Sequence, residues 1–184
     1  MRRRESEPEP ILDDARDPNV QPELNVQPET IDRIYGLSVN CTNLERSLEF
    51  YKAIGFKEVA DISESGGGGL EKGMRLPSPR ARGRLLKLGD NAHSINVDLI
   101  EWLSPRTEGR AYPRLNHAGI ARIALHTGNL QKTYEDLKTK GIEFYSEPQV
   151  LQSPRGSRLF ACFEDPDGTV LELIQLPPDP SEKK

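Results

Sequence analysis

Leu37–Phe56, LSVNCTNLERSLEFYKAIGF, returns as Ile123–Ile142, IALHTGNLQKTYEDLKTKGI. Asn-Leu at 43/44 matches 129/130, Glu49 matches Glu135, Lys52 matches Lys138, and Gly55 matches Gly141, all at one offset and without a gap. A second echo, VDLIEWLSP from 97 against LELIQLPPD from 171, superposes Asp98 on Glu172. The chain is therefore one unit written twice, and a duplicated unit sets equivalent residues around a pseudo-twofold axis, where a site is commonly built.

Each copy has the same grammar. Leu37, Val39 and Cys41 alternate with Gly36, Ser38 and Asn40 as a strand does. A helix follows, capped by Thr42 or Asn43, with Leu44, Leu48 and Tyr51 as its stripe and Gly55 as its stop. In the second copy Ile123, Leu125 and Thr127 oppose Arg122, Ala124 and His126; Asn129 caps, Leu130, Tyr134 and Leu137 form the stripe, and Gly141 ends it. Strand-like segments follow at roughly 56–62, 84–89 and 95–102, then at 142–151, 157–163 and 169–175, with EDPDG (164–168) as a tight reversal. The expected boundaries are a disordered tail over 1–29, a first βαβββ module over 30–103, a linker over 104–115, a second module over 116–177 and a C-terminal tail over 178–184. The extra length of the first copy falls in SESGGGGLEKGMRLPSPRARGR, whose glycines predict a long mobile loop of the kind that often serves as a lid.

Composition narrows the classes of function. With 184 residues and a formal net charge of −4, the chain lacks the basic surplus of a nucleic-acid binder. No apolar run reaches the roughly 20 residues of a membrane span, and MRRRESEPEP continues into Pro and Glu where a secretory signal needs apolar residues. A cytoplasmic protein with a small-molecule partner, and no nucleic-acid or membrane partner, is the expectation. Cys41 and Cys162 lack metal spacing and are expected to be separate buried thiols.

NLERSLEFYKAIGF after a strand, with EDPDGTVLELIQL at the end, resembles the vicinal oxygen chelate superfamily, which includes glyoxalase I, extradiol dioxygenases, methylmalonyl-CoA epimerases, and fosfomycin and bleomycin resistance proteins. The likeness covers about residues 32 to 177. It implies an α+β fold: two paired βαβββ modules forming a cup-shaped, mixed, mostly antiparallel sheet with helices outside. A homodimer is plausible by the same likeness. In metal-dependent members the resemblance puts ligands at the positions of Gly36, Asp98, Arg122 and Glu172. Glycine offers no side chain and a guanidinium has no lone pair for a metal, so no metal site and no cofactor are expected. A divalent metal on nonstandard ligands is the alternative and would need His93, His117 or His126.

The family's strand order would set Arg122 beside Glu172 and Gly36 beside Asp98, in a cup with Ile100, Ile174 and Trp102. Two carboxyl groups in unlike surroundings suit an acid and a base. On one reading Asp98 is the general acid or base, Arg122 orients or polarises a substrate oxygen, and Gly36 leaves the space a ligand would fill. On the other, Arg122 and Glu172 form a structural ion pair in place of the metal. Ser38, Asn40, Trp102, His126 and Arg155 are the candidate substrate-binding residues, with Asn96 also facing the cup. Arginines at 75, 80, 82, 84, 106, 110 and 114 either clamp an anionic substrate tail or form a solvated surface. The functions in view are metal-independent acid–base chemistry (isomerisation, cyclisation, elimination or lactone opening) on a small oxygenated molecule, non-enzymatic ligand binding of the bleomycin resistance type, and divalent-metal dioxygenase or glyoxalase-like chemistry.

Overall fold

Asn43 begins the helix α1 (Leu44–Ala53): its backbone is extended and its side chain accepts from Arg46 N–H at 2.9 Å. Asn129 does the same for α3 (Leu130–Thr139), accepting from Lys132 N–H at 3.0 Å. A second cap repeats as well. Glu101 accepts from Leu44 N–H at 3.0 Å, and Gln175, its counterpart in the other copy, accepts from Leu130 N–H at 2.7 Å. Past each helix, Gly55 and Gly141 take φ of +110° and +85°, which L side chains rarely adopt.

This computed structural model describes residues 31, 33–65, 68–89, 94–152 and 156–178. The expected tail over 1–29, residues 179–184 of the C-terminal tail, His93 and Arg155 lie outside the described residues. Every element belongs to one unit, Ile34–Lys184. The strands are β1 (Gly36–Asn40), β2 (Phe56–Asp61), β3 (Glu64–Ser65), β4 (Arg80–Leu88) and β5 (Asn96–Ser104), then β6 (Ile123–His126), β7 (Gln149–Leu151), β8 (Arg158–Glu164) and β9 (Val170–Gln175). They form two mixed, mostly antiparallel sheets, ordered β1-β5-β4-β2 with β3 on β4, and β6-β9-β8-β7. The α+β class expected from the sequence is what the chain adopts, with the sheet divided in two.

First and last strands of each module pair in parallel, and the register is the same in both: Ser38 opposes Asp98 as Ala124 opposes Glu172. This corrects one expectation, since Asn96 rather than Asp98 stands directly opposite Gly36. The long loop is also corrected. Residues 68–74 form a helix, α2 (Gly68–Met74), and β4 starts at Arg80, four residues before the predicted strand. Gly83 misled the reading: a Cβ there would lie 2.8 Å from Ile100 Cδ1 and 2.9 Å from Ile62 Cγ1, so this glycine marks close packing inside a strand rather than a loop. The strand predicted over 142–151 shrinks to β7 and a single bridge at Phe144.

The core lies between the sheets and the helices. Val39, Leu44, Tyr51, Leu86 and Leu99 fill it in the first module, and Leu125, Leu130, Tyr134, Phe163 and Leu171 in the second. A run of aromatic contacts joins the two halves: Phe56 to Tyr51 (5.4 Å), Tyr51 to Phe50 (5.5 Å), Phe50 to Phe163 (6.3 Å), Phe163 to Phe144 (5.0 Å) and Phe144 to Tyr134 (4.7 Å). Cys41 and Cys162 are both buried and unpaired.

Candidate functional site

The EDPDG turn does more than reverse the chain. Asp167 accepts from Thr42 N–H (3.2 Å), Thr42 Oγ1 (2.5 Å), Arg46 Nη2 (2.7 Å) and Ser47 Oγ (3.2 Å), all at the start of α1 in the other module. Burial alone would raise this carboxyl, but the bonds from Thr42 and Arg46 hold it below the ordinary aspartate value. Asp165 is deeper, and takes Tyr51 OH (3.1 Å), Asp167 N–H (2.9 Å) and Thr169 N–H (2.8 Å). Burial wins there and moves its carboxyl upward, against the pull of the Thr169 and Asp167 amides and the Tyr51 hydroxyl. The turn thus fastens one module to the other beside an opening between them.

That opening is a cleft of about 570 Å³, within the size range of small-molecule sites. One wall is Leu37–Asn40 of β1, the other Ile120–Ile123 leading into β6, with Thr107–Tyr112 and the Asp167–Val170 segment closing the ends. Both strand walls are outer edges, since β1 pairs only with β5 and β6 only with β9. The sequence-predicted residues divide accordingly. Ser38, Asn40 and Arg122 line the cleft, whereas Asp98, Glu172, Trp102 and His126 do not.

Arg122 Nε lies 2.9 Å from Glu172 Oε2, as the neighbouring strands implied. Glu172 is 7% exposed and the Arg122 side chain 39% exposed, so the carboxylate is buried and the guanidinium reaches out into the cleft. The Glu172 carboxylate raises Arg122 further above its already high value. Cys162 faces Glu172 across β8, and burial followed by that carboxylate pushes its thiol up despite Arg122. In the first module Asp98 is half-buried opposite Ser38, with no hydrogen-bond or ion-pair partner among the described residues. Trp102 donates its indole N–H to Asn40 Oδ1 at 3.0 Å. His126 is exposed, one end of β6 away from Arg122.

These residues do not fit the family's metal set. Arg122 is cationic and already engaged with Glu172. Gly36 supplies no ligand atom, and a Cβ there would sit tightly against Asn96, 3.0 Å from its O and 3.3 Å from its Cβ. Among the described residues no group of three His, Cys, Asp or Glu side chains is placed to hold an ion. Sequence reasoning missed Thr42, Thr107, Asp167 and Thr169. Asp167 had a readable signal in the DPDG motif, while Thr107 stood in a stretch read only as linker.

The sequence profile of the Glyoxalase/Bleomycin resistance protein/Dioxygenase superfamily matches residues 30–173. The chain belongs to that superfamily. Among its superfamily relatives, the uncharacterized protein YwkD of Bacillus subtilis (strain 168) is 26% identical over 143 residues, 77% of this chain and 95% of YwkD. A glyoxalase family protein from Bacillus cereus superposes with a TM-score of 0.66 at 17% identity, over 79% of this chain and 94% of that one. A glyoxalase I mutant from Zea mays gives 0.57 at 19% identity, over 80% of this chain and 47% of the maize chain. A genomically encoded fosfomycin resistance protein from Listeria monocytogenes, in complex with manganese(II) and sulfate, gives 0.51 at 14% identity, over 83% and 99%. At these identities the superfamily structures establish the fold, and fold alone does not carry chemistry. No helix among the described residues is long and apolar enough to cross a membrane.

Proposed function

We propose that this superfamily member binds a small organic molecule in the cleft between its modules without a metal. The Arg122–Glu172 ion pair carries the proposal: it occupies one carboxylate of the family's ligand set and brings a fixed positive charge where a divalent cation would have to sit. The manganese of the fosfomycin resistance relative is not transferred, since Gly36 and Arg122 supply no ligand atoms. The cleft's size, and its mixed lining of exposed Tyr112 and Ile120 with Ser38, Asn40 and Arg122, support a ligand with an apolar body and polar substituents.

A second reading is acid–base catalysis by Asp98, as in an isomerase or lyase. One observation favours it: the Asp98 carboxyl is half-buried and unpartnered, on the rung next to Ser38, which does line the cleft. A thermal-shift screen of small organic acids, ketones and lactones tests both. Compounds that stabilise the wild type are expected to lose their effect in Ser38→Trp, which fills the cleft from an exposed position on its β1 wall, and to keep it in Asp98→Asn. Hits that survive Ser38→Trp would contradict the cleft. A hit that the wild type converts, and that Asp98→Asn binds without converting, would establish the acid–base reading instead.

A further inference from the structure

Spare hydrogen-bond donors gather around the cleft. Trp102 takes one acceptor position on each of two wall side chains: its indole N–H bonds to Asn40 Oδ1 and its backbone N–H to Thr107 Oγ1, each at 3.0 Å. Those side chains keep the Asn40 amide N–H₂ and the Thr107 hydroxyl proton as donors. Arg122 has only its Nε engaged with Glu172, so its two Nη groups remain. Arg110 lines the cleft with no partner among the described residues. The β1 edge itself is balanced: Tyr35 O and Cys41 N–H both bond to β5, so Ser38 and Asn40 turn both their N–H and their C=O off the sheet. Asp167 also lines the cleft, but both its oxygens are taken by Thr42, Arg46 and Ser47. Glu108 is the remaining acidic side chain on the lining.

We infer that the cleft selects an organic oxyanion, a carboxylate, sulfonate or phosphate on an apolar body, with Arg110 and the free Nη groups of Arg122 receiving the anionic head. This rests on the cleft being the binding site, and names the class of molecule it takes. An oxyanion presents only acceptors, which the unspent donors of two guanidinium groups can meet, and charge-assisted bonds to guanidinium are the strong ones. Tyr112 and Ile120, the exposed apolar side chains on the lining, receive the body. Glu108, the acidic side chain left on the lining, would repel an anionic head and weaken its binding.

Anilinonaphthalene sulfonate and its neutral parent phenylnaphthylamine, followed by fluorescence titration, test this with one apolar body and two heads. The sulfonate is expected to fill a single saturable site that Arg110→Ala weakens about tenfold or more, the worth of one charge-assisted bond. Glu108→Gln is expected to tighten it. Phenylnaphthylamine should be indifferent to both substitutions, and Ser38→Trp should exclude both probes. Arg110 is exposed, so its loss leaves the fold intact. Sulfonate binding unchanged in Arg110→Ala, or binding of the neutral probe alone, would overturn the oxyanion assignment and leave the cleft standing. Failure of both probes to bind, or binding that persists in Ser38→Trp, would overturn the assignment together with the cleft.

Discussion

Asp165→Ala is expected to lower the free energy of unfolding by about 3 kcal/mol, because it strips the acceptor from three donors at once and each lost bond costs roughly 1 kcal/mol or more. The donors are Tyr51 OH, Asp167 N–H and Thr169 N–H, and Tyr51 is fully buried. Its hydroxyl would have no water to turn to. Tyr51→Phe removes the hydroxyl together with its need and is expected to cost only about 1 kcal/mol. Asp165→Asn, which keeps one acceptor oxygen and no longer has to bury a charge, should fall between them. Urea unfolding of the three variants and of the Tyr51→Phe/Asp165→Ala double mutant measures this, with the double mutant losing less than the sum of the two singles. An Asp165→Ala stability within about 0.5 kcal/mol of wild type, the range of an ordinary surface change, would show that the turn does not fasten the modules.

Arg122→Leu is the second large effect. It abandons a carboxylate that is only 7% exposed, and breaking a fully buried pair from one side costs about 3 to 5 kcal/mol. The Arg122 side chain is 39% exposed, so water can reach part of the vacated space and a loss of about 2 kcal/mol is expected. Arg122→Leu/Glu172→Leu should recover most of that loss, since an apolar pair of similar volume is often no less stable than a buried ion pair. Thermal and urea unfolding decide it. If the single and the double variant were equally destabilised, the pair would matter by shape alone and not by charge.

Much of the fold was legible because the repeat is physical as well as textual. Asn43 and Asn129 cap, Gly55 and Gly141 stop, and Glu101 and Gln175 each close a helix N-terminus from the last strand of its module. Arg122 beside Glu172 followed from strand order. What failed did so where one signal had two causes. Gly83 reads as loop chemistry in sequence, yet it sits inside a strand in close packing with Ile62 and Ile100. Register decides the neighbours of Gly36, and register depends on how two distant strands settle, which no local pattern contains. The cleft was harder still. Trp102 ties down Asn40 of its wall by a 3.0 Å bond, and residues 62 positions apart in the chain give no hint of that pairing.

Metal content is the most direct test of the metal-independent reading. Protein purified without chelator or affinity nickel is analysed by elemental mass spectrometry, then titrated calorimetrically with manganese(II), iron(II), zinc(II) and nickel(II). The expected result is no stoichiometric metal and no saturable binding, with Arg122 held on Glu172. One metal per chain, lost on Asp98→Ala or Glu172→Ala, would contradict it and return the site to metal chemistry on nonstandard ligands.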